Sequence, residues 1–114
     1  MISAETLAAL LAFRRERDWE QFHSARNLAG ALSVEAAELL EHFVWASDAE
    51  VAPIVSEKKS EIAAEIADIA IYLVYFAHDC GIDVDVAVRE KMKVNGQRYP
   101  VDETRGSSKK YSGA

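Results

Sequence analysis

The chain is poor in the residues that staple, break or loosen a fold. It has one cysteine, Cys80, so a disulfide framework and a multi-cysteine zinc site are both excluded, and an isolated thiol fits a reducing compartment. Two prolines, Pro53 and Pro100, and five glycines leave long stretches free to be helical. Long apolar runs are also missing. The longest near the middle, residues 69–77, is far too short to span a bilayer. Residues 7–13 are apolar, but Glu5 precedes them and Arg14, Arg15 and Arg17 follow, the wrong order for a secretory leader. These absences predict a cytoplasmic protein. Its 114 residues suffice for one modest core, and half of them are hydrophobic, which excludes disorder.

Charge is uneven. Residues 35–68 hold nine acids and two bases, whereas residues 89–114 hold seven bases and three acids. An acidic middle and a basic end lack the broad basic face that long nucleic acid requires. They suit a compact anion gripped by metal ions on one side and by Lys or Arg on the other. A solvated acidic surface is the plainer alternative.

Ala, Leu, Glu, Arg and Ile dominate, and no alternating strand pattern persists. The first helix is expected from an N-cap at Ser3 to about Asp18. Residues 19–23 form a connector, and Ser24 caps a long second helix reaching about Trp45. Residues 47–55, containing Pro53, read as a loop. A third helix is expected from about Ser56 to Asp79, closed by Gly81, and a fourth over about 84–98, capped by Asp83 and stopped at Tyr99-Pro100. The expectation is therefore an all-α, antiparallel four-helix bundle over residues 1–100, followed by a basic tail over 101–114.

Four carboxylates stand out. On the second helix Glu35 falls inside the stripe of Leu28, Leu32 and Leu39, with Glu38 one turn on. On the third, Glu61, Glu65, Asp68 and Tyr72 form a line within about 40°. It borders an apolar stripe of Ile62, Ile66, Ile69, Leu73 and Phe76. Glu35-x-x-Glu38 and Glu65-x-x-Asp68 each project two carboxylates from one face. On antiparallel neighbours all four would converge, and their repulsion would call for a divalent cation. An all-oxygen set without cysteine points to Mg²⁺ or Mn²⁺. Against this, such spacings are common on solvated helices. His42 lies four residues after Glu38, not three, so the Glu-x-x-His step of di-iron bundles is absent. It reads as a surface or core-edge residue.

Lys91, Asn95 and Arg98 share a helical face and suit phosphate oxygens, although a basic stripe also complements a helix C-terminus. Residues 105–111 either fold over a phosphate or form an ordinary tail, and they are not a P-loop. Trp19, Phe22, His23, Trp45 and Tyr72 are candidates to sandwich a base, with packing the better reading for Phe22. Trp19 and Trp45 flank helix ends, where a pocket mouth is plausible.

These blocks carry a family likeness. Arg17-Asp-Trp-Glu-Gln-Phe-His23, Leu32-Ser-Val-Glu35-Ala-Ala-Glu38-Leu, Phe43-Val-Trp45, Glu65-Ile-Ala-Asp68-Ile-Ala-Ile-Tyr72-Leu, Lys91-Met92, Asn95, Gln97-Arg-Tyr-Pro100 and Arg105-Gly-Ser107 together resemble the MazG-like all-α nucleotide pyrophosphohydrolases. The likeness is strongest to their dCTP pyrophosphatase branch. Gly30, Ala31 and Ser33-Val34 depart mildly from that pattern. The resemblance implies that Glu35, Glu38, Glu65 and Asp68 bind Mg²⁺, that Trp19, His23, Trp45 and Tyr72 line the base and sugar pocket, and that Lys91, Asn95 and Arg98 hold the triphosphate. It further implies a homodimer or a dimer of dimers. The implied reaction is cleavage of a dNTP, dCTP or a modified dCTP above all, between its α and β phosphates to dNMP and pyrophosphate. The implied role is clearance of surplus or modified nucleotides. Glu38, with Glu35 beside it, is our candidate proton acceptor. The rival readings are a dUTP or broad-specificity pyrophosphatase of the same fold and a non-catalytic helical oligomerisation module.

Overall fold

A computed structural model describes residues 1–110; Tyr111 and the rest of the tail lie outside the described residues. Among the described residues every regular element is helical: α1 (Ala4–Glu16), a 3₁₀ turn (Glu20–Phe22), α2 (Ala25–Glu41), α3 (Asp48–Glu57), α4 (Lys59–Asp79), α5 (Val84–Arg98) and the short α6 (Val101–Thr104). The chain divides into two units, Ile2–Gly81 with α1 to α4, and the segment from Ile82 onward with α5 and α6.

In the first unit α4 is the common partner of α1, α2 and α3, and its broadest contact is with α2. The termini follow local chemistry. Ser3 accepts a hydrogen bond from the Thr6 amide, and Ser24 one from the Asn27 amide, each satisfying a donor that the first helical turn leaves open. Gly81, at φ +68°, closes α4 in a conformation that costs glycine nothing. The end of α1 is a Schellman turn without glycine. Asp18, at φ +53°, donates its amide to the Arg15 carbonyl, and Trp19 donates its amide to that of Arg14. Gln21 Nε2 donates to both the Asp18 carbonyl and its side chain, supporting the left-handed residue. The turn delivers Trp19 onto Phe13, with ring centres 5.8 Å apart, edge to face.

Two expectations about helices are corrected. Four helices were expected and six are present among the described residues, because residues 47–55, read as a loop, lie largely in α3 and residues 101–104, within the basic tail, form α6. At the first site Glu50 accepts hydrogen bonds from the Ser47 amide and hydroxyl and nucleates α3. Pro53 then sits inside that helix, without a backbone donor to give to residue 49. At the second site Pro100 starts α6, where a fixed φ and a missing N–H do no harm.

The core is small. Leu28, Val74, Tyr75 and Ala77 are its buried hydrophobic side chains, joined by the buried Arg14. Ile66, expected on the core stripe of α4, is 54% exposed, and Leu40, Val34 and Trp45 also face outward. The burial on α4 concentrates in its last two turns, where α1 crosses it.

The second unit is built by Asp83, whose carboxylate accepts the Val86 amide and starts α5. Its C-terminal stop is Tyr99-Pro100, as the sequence predicts. Thr104 donates its hydroxyl to the Pro100 carbonyl and tightens α6.

Candidate active site

The carboxylates meet between α2 and α4. Glu35 and Glu38 lie one turn apart on α2 and are half-buried; Glu65 on α4 is likewise half-buried, and Asp68 is exposed one turn further on. One Glu35 oxygen, Oε2, is buried without a hydrogen-bond partner. Its carboxyl is pushed above the usual carboxylate range, first by a hydrogen bond shared with Glu38, then by burial, then by the charges of Glu38, Asp68 and Glu65. Glu35 therefore feels the other three groups named from sequence, as it must when two helices bearing paired carboxylates pack along that face. Glu61, placed in the same line, is exposed.

His42, read from sequence as a surface or core-edge residue, has a partner in the cluster. Its Nε2 lies 2.6 Å from Glu65 Oε2, and both side chains are mostly buried. The signal was available: His42 is one turn beyond Glu38, which aims it along the carboxylate face. With Glu65 engaged by His42, no three His, Cys, Asp or Glu side chains among the described residues stand together as a ready metal shell. The donor chemistry still fits a hard divalent cation. The orphaned oxygen of Glu35 and the mutual repulsion around it are what a cation would relieve.

Asp68 also faces a cavity of about 330 Å³, lined by Leu10, Phe13, Trp19, His23, Asp68, Ile71, Tyr72 and Tyr75. Trp19, His23 and Tyr72 were expected together and are together. Trp45, expected at a pocket mouth, is not among the residues lining this cavity and is 94% exposed. The reason is local: α2 ends at Glu41, and the turns that follow carry the indole outward. Phe22 is exposed and does not line the cavity.

Against the lining residues His23 and Tyr75 lies a group that sequence reasoning missed. Arg14 is buried and grips Asp79 with two hydrogen bonds, Nη1 to Oδ2 at 2.9 Å and Nη2 to Oδ1 at 2.5 Å. Its guanidinium carbon lies 4.6 Å from the centre of the Tyr75 ring, and its Nη1 is 3.5 Å from His23 Nδ1. Tyr75 donates its hydroxyl to the Leu10 carbonyl at 2.6 Å, and its ring is tilted against His23 at 5.3 Å. The contact with Arg14 holds the Asp79 carboxyl below its usual range. Burial, then the charge of Arg14, pushes His23 down and keeps its ring neutral. Continuing the line of Asp68 and Tyr72 along α4 reaches Tyr75 and Asp79, so these two were on the right face to be found. At the rim, the Arg17 guanidinium covers the Phe13 ring at 3.6 Å.

Lys91, Asn95 and Arg98 share one face of α5 in the second unit, as their spacing predicts, and all three are exposed.

A helical unit with paired carboxylates between two packed helices and an aromatic cavity beside them belongs to a recognisable class. The MazG-like family profile matches residues 31–113, and the chain belongs to the MazG-like family. Among its relatives are dCTP pyrophosphatase 1 of Rattus norvegicus, 50% identical over 102 residues, and that of Homo sapiens, 44% identical over 102 residues. In both cases the match covers 88% of this chain and 60% of the relative, so the chain spans about 60% of the length of these curated relatives. A solved structure of a pyrophosphatase from Archaeoglobus fulgidus is similar with a TM-score of 0.82 and 40% identity, covering 84% of this chain and 90% of that one.

Proposed function

We propose that the protein is a Mg²⁺-dependent nucleoside triphosphate pyrophosphohydrolase that converts dCTP, or a modified dCTP, to the monophosphate and pyrophosphate. The observation that carries the reading is Asp68. It belongs at once to the carboxylate cluster around Glu35 and to the wall of the aromatic cavity. A nucleotide bound with its base in the cavity would bring its phosphates toward the carboxylates. The likeness to dCTP pyrophosphatase 1 supports the choice of substrate.

In this reading Glu35, Glu38, Glu65 and Asp68 hold the cation, with Mn²⁺ as a substitute. When bound, it neutralises phosphate oxygens and makes water a stronger nucleophile. Glu38 accepts the proton of the water that attacks the α phosphorus, with Glu35 beside it. Trp19 and Tyr72 supply flat faces for the base, and His23 supplies a polar ring atom beside them. Lys91, Asn95 and Arg98 stabilise the charge that develops on the leaving pyrophosphate. Trp45 reaches the base pocket of a second copy, in a homodimer or a dimer of dimers. Its exposure, with that of Leu40 and Ile66, supports self-association. No helix of the described residues is long and apolar enough to cross a membrane. We place the protein in the cytoplasm, where it would remove surplus or modified deoxynucleotides.

The test is product analysis of each dNTP incubated with the protein and Mg²⁺. Formation of dCMP and pyrophosphate is the expected result. Release of single phosphates, or no turnover with any divalent metal, would overturn the proposal.

A further inference from the structure

We infer that the Arg14–Asp79 pair fixes His23 as its neutral Nε2–H tautomer, so that the cavity offers its ligand a hydrogen-bond donor from that ring. The argument starts from what each group can do. A guanidinium only donates. The Arg14 Nη1 is directed at His23 Nδ1, so Nδ1 must be the unprotonated acceptor and the ring proton must sit on Nε2. At 3.5 Å the contact is long, and its force comes from where Arg14 is held. Asp79 takes the guanidinium on two hydrogen bonds, and the Tyr75 ring covers its face. Tyr75 is itself fixed by the Leu10 carbonyl and lies against His23. A protonated ring would place a second donor against the guanidinium, and the lowered proton affinity of His23 agrees with a neutral ring.

Arg14 and Asp79 are thus positioning residues, acting on the ligand only through His23. For the ligand the consequence is chemical. A neutral N–H selects an acceptor, a ring carbonyl, an unprotonated ring nitrogen or a sugar oxygen, and opposes an exocyclic amino group turned toward it. Cytosine carries such acceptors at O2 and N3. The ligand assignment rests on the nucleotide reading given above; the tautomer does not.

The experiment is a long-range ¹H–¹⁵N correlation spectrum of the full ¹⁵N-labelled chain at neutral pH, with His23 assigned by its loss in His23→Gln. The expected spectrum shows His23 Nε2 in the protonated range and Nδ1 in the unprotonated range. The reverse pattern overturns the inference, and this measurement needs no variant to fold beyond the one used for assignment. The double variant Arg14→Met/Asp79→Leu removes both charges and leaves neither orphaned. In it the Nδ1–H form should appear. The KM for dCTP should rise about tenfold and kcat change less than about threefold, the size expected for one neutral hydrogen bond. An unchanged tautomer and an unchanged KM in a variant of full helicity would overturn the role of the pair. If the wild-type chain hydrolyses no dNTP yet shows the Nε2–H form, the nucleotide reading fails and the tautomer stands.

Discussion

Arg14 and Asp79, 65 positions apart, are the point at which α1 and α4 are tied together. The pair joins the one buried charged side chain among the described residues to the last residue of α4. Breaking such a pair leaves an uncompensated charge in the interior. Asp79→Asn should therefore destabilise the first unit by about 2 kcal/mol, less than for a fully buried pair because Asp79 is partly exposed. Chemical denaturation of the two proteins side by side measures it.

The same site sets a pH dependence. Asp79 has a folded pKa below its unfolded value of 3.8, so its contribution is complete above 3.8 and is lost as the pH falls through the folded value. His23 has a folded pKa below 6.5. Its unfolded form takes up protons first, so stability also drops as the pH falls from 6.5 toward the folded value. Two acid-side losses are expected in a series of melts. His23→Gln should abolish the one nearer neutrality and leave the other.

Glu35 behaves in the opposite sense. Its carboxyl is raised by its neighbours, so the charged form is disfavoured in the folded chain at neutral pH. Glu35→Gln should raise the melting temperature of the metal-free protein. It should at the same time weaken Mg²⁺ binding by tenfold or more on the order expected for loss of a carboxylate ligand. Melting curves with and without Mg²⁺ separate the two effects; a variant that lost stability without metal would contradict the repulsion.

Asp18 offers a backbone test. A non-glycine residue in the left-handed region costs about 1–2 kcal/mol. Part of that is offset here by the aspartate side chain, which engages Gln21. Asp18→Gly should be neutral or stabilising by up to about 1 kcal/mol, and Asp18→Val destabilising by about 1–2 kcal/mol. Denaturant melts of both variants give the comparison.

Trp45 tests self-association. In Trp19→Phe it is the remaining tryptophan. Its emission should shift to shorter wavelength as protein concentration rises, in step with the mass observed by sedimentation. Emission of a water-exposed indole at every concentration would leave Trp45 uncovered by any second copy.

Much of this was legible along the chain. The caps at Ser3, Ser24 and Asp83, the stop at Gly81 and the two carboxylate pairs all express local chemistry that spacing reveals. Glu35, Glu38, Glu65 and Asp68 were found because charges inside an apolar stripe are conspicuous. What was missed depends on partners far away in sequence. Arg14 reads as an ordinary basic residue at a helix end until Asp79 meets it. His42 completes no Glu-x-x-His step along the chain and pairs instead with Glu65 across 23 positions. Pro53 alone reads as a breaker, and the Ser47–Glu50 cap offsets it. Periodicity puts Ile66 on the core stripe, yet it is exposed, because periodicity says which face a residue shares but not which face finds a neighbour.

Asp68 and Tyr72, one turn apart on α4, make the carboxylate line and the cavity wall parts of a single rod. The two cannot drift separately. A descendant of this chain that enlarged its cavity by shifting or rotating α4 would disturb the acidic groups by the same displacement. Changes of ligand preference are therefore expected to be accepted on the facing side, in α1 and the turn that carries Trp19 and His23, while α4 is held constant by its double duty.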